Sequence, residues 1–153
     1  MRLFLDANIL FSAAWKDESG ATRLFELGRA GFCQLITSRL ALEEANQNIL
    51  HKRATRLSML RQYADLVEIG REPDATHLAE AAAFGLPDKD IPILAAALSQ
   101  RADLLVTGDR RDFGHLYGQR PGGVEVIGLA GAIDRITQGE VQAAAGAARS
   151  RPQ

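Results

Sequence analysis

The stretch Arg2-Leu3-Phe4-Leu5-Asp6-Ala7-Asn8-Ile9-Leu10 decides the reading of this chain. Residues 2–5 predict a short buried strand, because three consecutive bulky apolar side chains leave no solvent face. Asp6 ends the strand, and the apolar run Asn8 to Ala14 starts a helix. A strand that delivers a carboxylate and turns at once into a helix reads as the opening of an α/β unit. The clearest strand signal of all, Asp103 to Thr107, again runs into an acid, Asp109.

Working outward, Ala21 to Arg29 reads as a helix with Leu24, Phe25 and Leu27 inward, punctuated by Gly28 and Gly31. Cys33 to Thr37 is a second strand, and Ser38 caps a helix reaching about Ile49. Thr55 to Leu66 is helical, and Val67 to Ile69 forms a brief third strand. Asp74 caps a helix over Ala75 to Phe84, which Gly85 ends. Pro92 suits the first turn before the helical run Ile93 to Gln100. Val124 to Ile127 is the last strand and Leu129 to Ile136 the terminal helix. Alternating strands and helices predict an α/β fold whose mostly parallel sheet is covered on both faces. Residues 1–137 are expected to form one domain, and residues 138–153, rich in Ala, Arg and Gly, a flexible tail.

Composition agrees. The chain has 153 residues, 46% of them hydrophobic and 24% charged, which suits one ordinary core. No apolar run approaches the roughly 20 residues that span a bilayer. The apolar start is too short for a signal-peptide core, and the single cysteine, Cys33, excludes an intrachain disulfide. A cytoplasmic protein without membrane contact is expected. The net charge of −1 argues against binding nucleic acid by charge alone. Basic residues do gather locally, at His51-Lys52-Arg53, Arg56, Arg61 and Arg110-Arg111.

In open α/β sheets, sites form outside the carboxyl ends of the strands. Asp6 stands there after the first strand, and Glu43 and Glu44 lie on the helix after the second. Asp88 and Asp90 precede the helix leading into the fourth, and Asp109 and Asp112 follow it. Taken singly, each acid is as well explained by capping, a turn or a solvated helix face. Together they would repel, by roughly 4 kcal/mol for two charges 4 Å apart at an effective dielectric near 20. A divalent cation reverses that repulsion. All-oxygen ligands favour magnesium or manganese, and no Cys/His spacing suits zinc. Such an ion also lowers the pKa of bound water and neutralises charge on a transferring phosphoryl group.

Four motifs in order then resemble the PIN-domain nucleases: Leu5-Asp6-Ala7-Asn8-Ile9-Leu10, residues 37–45 around Glu44, residues 90–97 from Asp90, and residues 105–113 around Asp109. The resemblance spans about residues 2 to 130. It implies an α/β/α sandwich with four or five strands and magnesium- or manganese-dependent RNA cleavage. It makes Asp6, Glu44, Asp90 and Asp109 the core acids, with Asp6, Asp90, Asp109 and the more variable Asp112 as metal ligands. Asn8 and Thr107 are expected to support the carboxylates, and Arg110, Arg111, Lys52 and Arg53 to contact RNA. Many small bacterial members are VapC-like toxins, which implies a protein antitoxin in the acidic groove and a homodimer. An RNA-processing nuclease without an antitoxin and a non-catalytic binding module are the alternatives.

Other chemistries fit less well. A phosphatase of the haloacid-dehalogenase type needs a second Asp where Asn8 stands, and a phosphoacceptor receiver needs an acidic pair and a late lysine. His51, His77 and His115 are scattered, which disfavours metal-free histidine catalysis. Phe11, Trp15 and Phe25 read as core or dimer packing rather than a base-stacking platform, and Cys33 as a small buried apolar residue.

Overall fold

The computed structural model describes residues 1–150. Five parallel strands form one sheet in the order β3-β2-β1-β4-β5: β1 (Arg2–Leu5), β2 (Gln34–Thr37), β3 (Glu68–Ile69), β4 (Leu104–Val106) and β5 (Glu125–Ile127). β1 is central. Leu3, Phe4 and Leu5 are fully buried, and Leu3 stands in register between Leu35 of β2 and Leu104 of β4.

The helices are α1 (Ala7–Trp15), α2 (Gly20–Arg29), α3 (Arg39–Arg53), α4 (Leu57–Ala64), α5 (Ala75–Ala81), α6 (Ile91–Ser99), α7 (Arg110–Phe113) and α8 (Leu129–Ser150). From β1 the chain builds outward through β2 to β3, then returns to add β4 and β5 on the other side. Right-handed crossovers therefore put the β1–β2 and β2–β3 helices on one face and the β3–β4 helices on the other. Accordingly α1 packs on α2, α3 and α4, while α5 packs on α6. The result is the three-layer α/β/α sandwich. Its strand order reverses between β1 and β4, which opens a crevice at their carboxyl ends.

Several boundaries move. α3 continues to Arg53, because His51, Lys52 and Arg53 favour the carbonyl end of a helix although none continues its apolar face. The segment after it begins as a 3₁₀ turn, Ala54–Arg56, and becomes α4 at Leu57. α5 tightens to 3₁₀ over Ala82–Phe84 and stops at Gly85, whose φ of 72° suits glycine. α8 runs through Ser150, past Ile136, as its alanine content favours; residues 151–153 of the expected tail lie outside the described residues. Among the described residues no helix is long and apolar enough to cross a membrane.

Candidate active site

Asp6 leaves the end of β1 as the N-cap of α1, so capping and site geometry are two aspects of one placement. Its Oδ1 accepts the Ala7 N–H at 2.7 Å. Its Oδ2 accepts the Thr107 hydroxyl at 2.8 Å and the Asn8 side-chain amide at 3.2 Å. A carboxylate offers about four lone-pair directions. Those three bonds leave one, on Oδ1. Burial pushes the Asp6 carboxyl above its usual range against the Thr107 and Ala7 hydrogen bonds, and the charges of Glu44 and Asp109 add to the rise.

Thr107 and Asn8 tie the ends of β1 and β4 together. The Thr107 hydroxyl accepts the Asp109 N–H at 3.1 Å and the Asn8 amide at 3.3 Å while donating to Asp6. Asn8 Oδ1 accepts the Gly108 N–H at 2.8 Å. Both residues hydrogen-bond Asp6.

Asp109 caps the short α7 through the Asp112 N–H, 3.0 Å from its Oδ1. Asp112 then lies one turn on, and carboxylate oxygens of Asp90, Asp109 and Asp112 all fall within 4.8 Å of one another. Asp90 stands at the start of α6 but makes no capping bond. Its Oδ2 is buried without a hydrogen bond. The Lys89 ammonium lies 3.2 Å from it, while also bonding Asp112 Oδ2 at 2.8 Å. Burial foremost, with the nearby Asp112, pushes Asp90 up to about 6 although Lys89 opposes the rise. The same ammonium holds Asp112 below the usual carboxylate range.

Asp6, Glu44, Asp90 and Asp109 line one cavity of about 170 Å³ with Asn48, Lys52, Lys89 and Phe11. Glu44, Asn48 and Lys52 recur every four residues along α3, which places them on one face. Glu43 lines an adjoining groove instead, and Asp88 is exposed. Glu44 and Asp90 line both hollows, whereas Glu43 lines only the adjoining one and Asp88 neither. A larger hollow between α3 and α4, about 520 Å³, holds Arg61 and Asp65 but no converging acids.

Of the basic residues expected near RNA, Lys52 reaches the cavity. Arg53 folds over Trp15 and donates to its carbonyl, Arg110 lies over the Tyr117 ring, and Arg111 is exposed. His77 pairs with Asp74, His115 meets the Phe84 carbonyl and His51 is exposed, so no histidine lines the cavity. Cys33 is buried, and burial pushes its thiol up, as befits a packing residue. Phe25 is a core residue, but Phe11 is not only that: it lines the cavity, and Trp15 is 37% exposed. Sequence reasoning missed Lys89 and Asn48. Asn48 was legible as the next residue on the Glu44 face; Lys89 had no periodic signal.

The donor set fits a divalent cation. Asp90, Asp109 and Asp112 already sit within reach of one ion, Asp90 Oδ2 lacks a hydrogen-bond donor, and every ligand atom is a hard oxygen.

A family model described as PIN domain matches residues 2–111. No curated protein matches the sequence. Among solved structures, the chain resembles one from a VapBC2 complex of Rickettsia felis bound to promoter DNA, with a TM-score of 0.62 and 18% identity over 84% of this chain and 98% of that one. It also resembles a chain of VapBC-1 from nontypeable Haemophilus influenzae, with a TM-score of 0.58 and 13% identity over 85% and 99% of the two chains. A chain of a Klebsiella pneumoniae toxin–antitoxin complex gives 0.54 and 22% over 80% and 94%. At these identities the structural likeness concerns the fold.

Proposed function

Because the chain belongs to the PIN-domain family, a family of nucleases, we propose that it is a magnesium- or manganese-dependent endoribonuclease and the toxin of a toxin–antitoxin pair. One observation carries the catalytic part: acids from four separate segments, Asp6, Glu44, Asp90 and Asp109, line a single cavity. Asp90, Asp109 and Asp112 would hold the cation, with Asp6 lining the same cavity as Asp90 and Asp109. A cation bound there supplies Lewis acidity to activate water and to neutralise charge on the phosphodiester. The chain's own part is positioning. Thr107 and Asn8 fix the Asp6 carboxylate, the α7 cap fixes Asp109, and Glu44 extends the acid set from the α3 side. Lys52 supplies a positive group at the cavity for an RNA phosphate. Arg110 and Arg111 contact the strand farther along.

The toxin reading rests on the fold shared with chains of VapBC complexes and of a toxin–antitoxin complex. For this chain it implies an antitoxin arginine set against the carboxylates and a homodimer. The test is cleavage of unstructured and structured RNA in magnesium or manganese. The wild type is expected to cut. Asp109→Asn, which keeps an N-cap of equal quality, is expected to lose cutting while remaining folded. EDTA is expected to abolish it. Wild-type rates in either condition would overturn the reading, and metal binding by calorimetry without cleavage would favour a binding module.

A further inference from the structure

The cavity does not end at its acids. Phe11 lines it from α1, and one helical turn further out Trp15 stacks on Phe11, with ring centroids 5.3 Å apart and an interplanar angle of 29°. Each ring carries a cation. The Lys52 ammonium lies 5.4 Å from the Phe11 centroid, and the Arg53 guanidinium 5.3 Å from that of Trp15. Both cations come from the last turn of α3. Arg56 reinforces this edge by donating to the Ala14 carbonyl at 2.7 Å and pairing with Asp17 at 2.8 Å.

A core aromatic pair would be shielded. Trp15 instead keeps 37% of its surface exposed at the rim of an acidic site. Aromatic rings interleaved with Lys and Arg suit a single-stranded nucleic acid: bases stack on the rings or on a guanidinium plane, and phosphates meet the ammonium groups. A duplex offers no unstacked base to such a surface. An apolar protein partner would gain nothing from two cations laid over the rings. Lys52 belongs to both features, since it lines the cavity and covers Phe11. The acidic centre and the aromatic ledge are therefore continuous.

We propose that the Phe11–Trp15 ledge, with Lys52 and Arg53, is a binding subsite for unpaired bases of the RNA strand that enters the acidic cavity. This rests on the nuclease reading and adds to it the residues of α1 and α3 that would receive the entering strand. Trp15 is the chain's single tryptophan, so its emission reports on the ledge directly.

The experiment uses the full chain carrying Asp109→Asn, so that RNA stays intact, and an unstructured RNA octamer with its pre-annealed duplex as probes. The octamer is expected to quench Trp15 emission saturably and the duplex to leave it unchanged. In the otherwise wild-type chain, Phe11→Leu and Trp15→Leu are each expected to raise KM for the octamer about tenfold. They should leave kcat within about threefold, and manganese affinity by calorimetry unchanged. Emission unmoved by the octamer, or wild-type KM in both variants, would overturn the subsite. Emission that tracks protein concentration rather than RNA would also overturn it, in favour of a dimer contact. If no RNA is cut but the octamer still quenches, the nuclease reading fails and the subsite stands.

Discussion

Asp90→Asn separates stability from function at this site, and the structure gives opposite signs for the two. The Asp90 carboxyl is pushed from its ordinary value near 4 up to about 6, chiefly by burial, with Asp112 adding and Lys89 opposing. A carboxyl whose pKa is raised on folding favours the folded state while protonated. That contribution is complete below the unfolded pKa near 4 and is lost as pH rises through about 6. Above that value the ionised group works against folding. Two pKa units correspond to a ceiling of about 3 kcal/mol. The cavity admits water and Lys89 stays close, so screening reduces the net effect to about 1 kcal/mol.

Asparagine keeps the shape and removes the charge. In EDTA at pH 7.5 the Asp90→Asn protein is expected to melt about 2–4 °C above wild type. The two should converge as pH falls from 6 to 4. Manganese should act in the other direction. Binding to the folded state raises the melting temperature of the wild type, whereas the variant, short of one anionic ligand, should respond much less. Thermal unfolding across that pH range, with EDTA and with manganese, measures both arms. A variant less stable than wild type in EDTA at pH 7.5 would refute the electrostatic account. An undiminished manganese response would refute the assignment of Asp90 as a ligand.

Two further outcomes follow from the hydrogen bonds. Thr107→Val keeps the β-branched shape but leaves the Asp109 N–H and one Asn8 donor without an acceptor and deprives Asp6 of its shortest side-chain partner. It is expected to cost about 1–3 kcal/mol in denaturant unfolding and to slow RNA cleavage about 10- to 100-fold; unchanged cleavage would show that the hydroxyl does not position Asp6. On β5, the buried Glu125 is held by Arg135 at both oxygens, 3.3 and 2.8 Å, and by Arg120 at one, 2.9 Å. Arg135→Ala should therefore cost about 1–2 kcal/mol and Arg120→Ala less, both without effect on cleavage; the reverse order in urea melts would contradict this geometry.

The legible parts of the molecule were those with local signals. Leu3 to Leu5 and Leu104 to Val106 announce strands buried on both faces, and an acid directly after such a strand must stand at the sheet's carboxyl edge. Asp6 and Asp109 were therefore readable, and Thr107 and Asn8 were read from their places in the family motifs around those acids. Lys89 was not, because its meeting with Asp112 joins segments 23 positions apart through tertiary packing alone. The cavity-side placement of the Phe11–Trp15 pair was not legible for another reason. α1 is apolar nearly all round, so its pattern does not say which turn faces the core and which the cavity. Arg53 was placed near substrate by its position in a basic run, yet the fold engages it with Trp15 rather than with the acids.

The acids are held unequally, and the inequality bears on how the centre works. Asp6 has three donors fixing its two oxygens, whereas Asp90 Oδ2 has no hydrogen bond and an exposed lysine 3.2 Å away. A fully bonded carboxylate is a fixed ligand: its geometry persists with or without an ion. An unbonded one is costly to bury ionised, and at neutral pH a cation would relieve that cost. Lys89 lowers the cost in the meantime without removing it, because its side chain is 68% exposed and its charge is shared with Asp112. On the proposed metal-dependent reading, a dication would meet the charge that the resident ammonium leaves uncompensated. The stability forgone in the metal-free state would then be the counterpart of metal affinity, the trade expected where folding and function place opposite demands on one side chain.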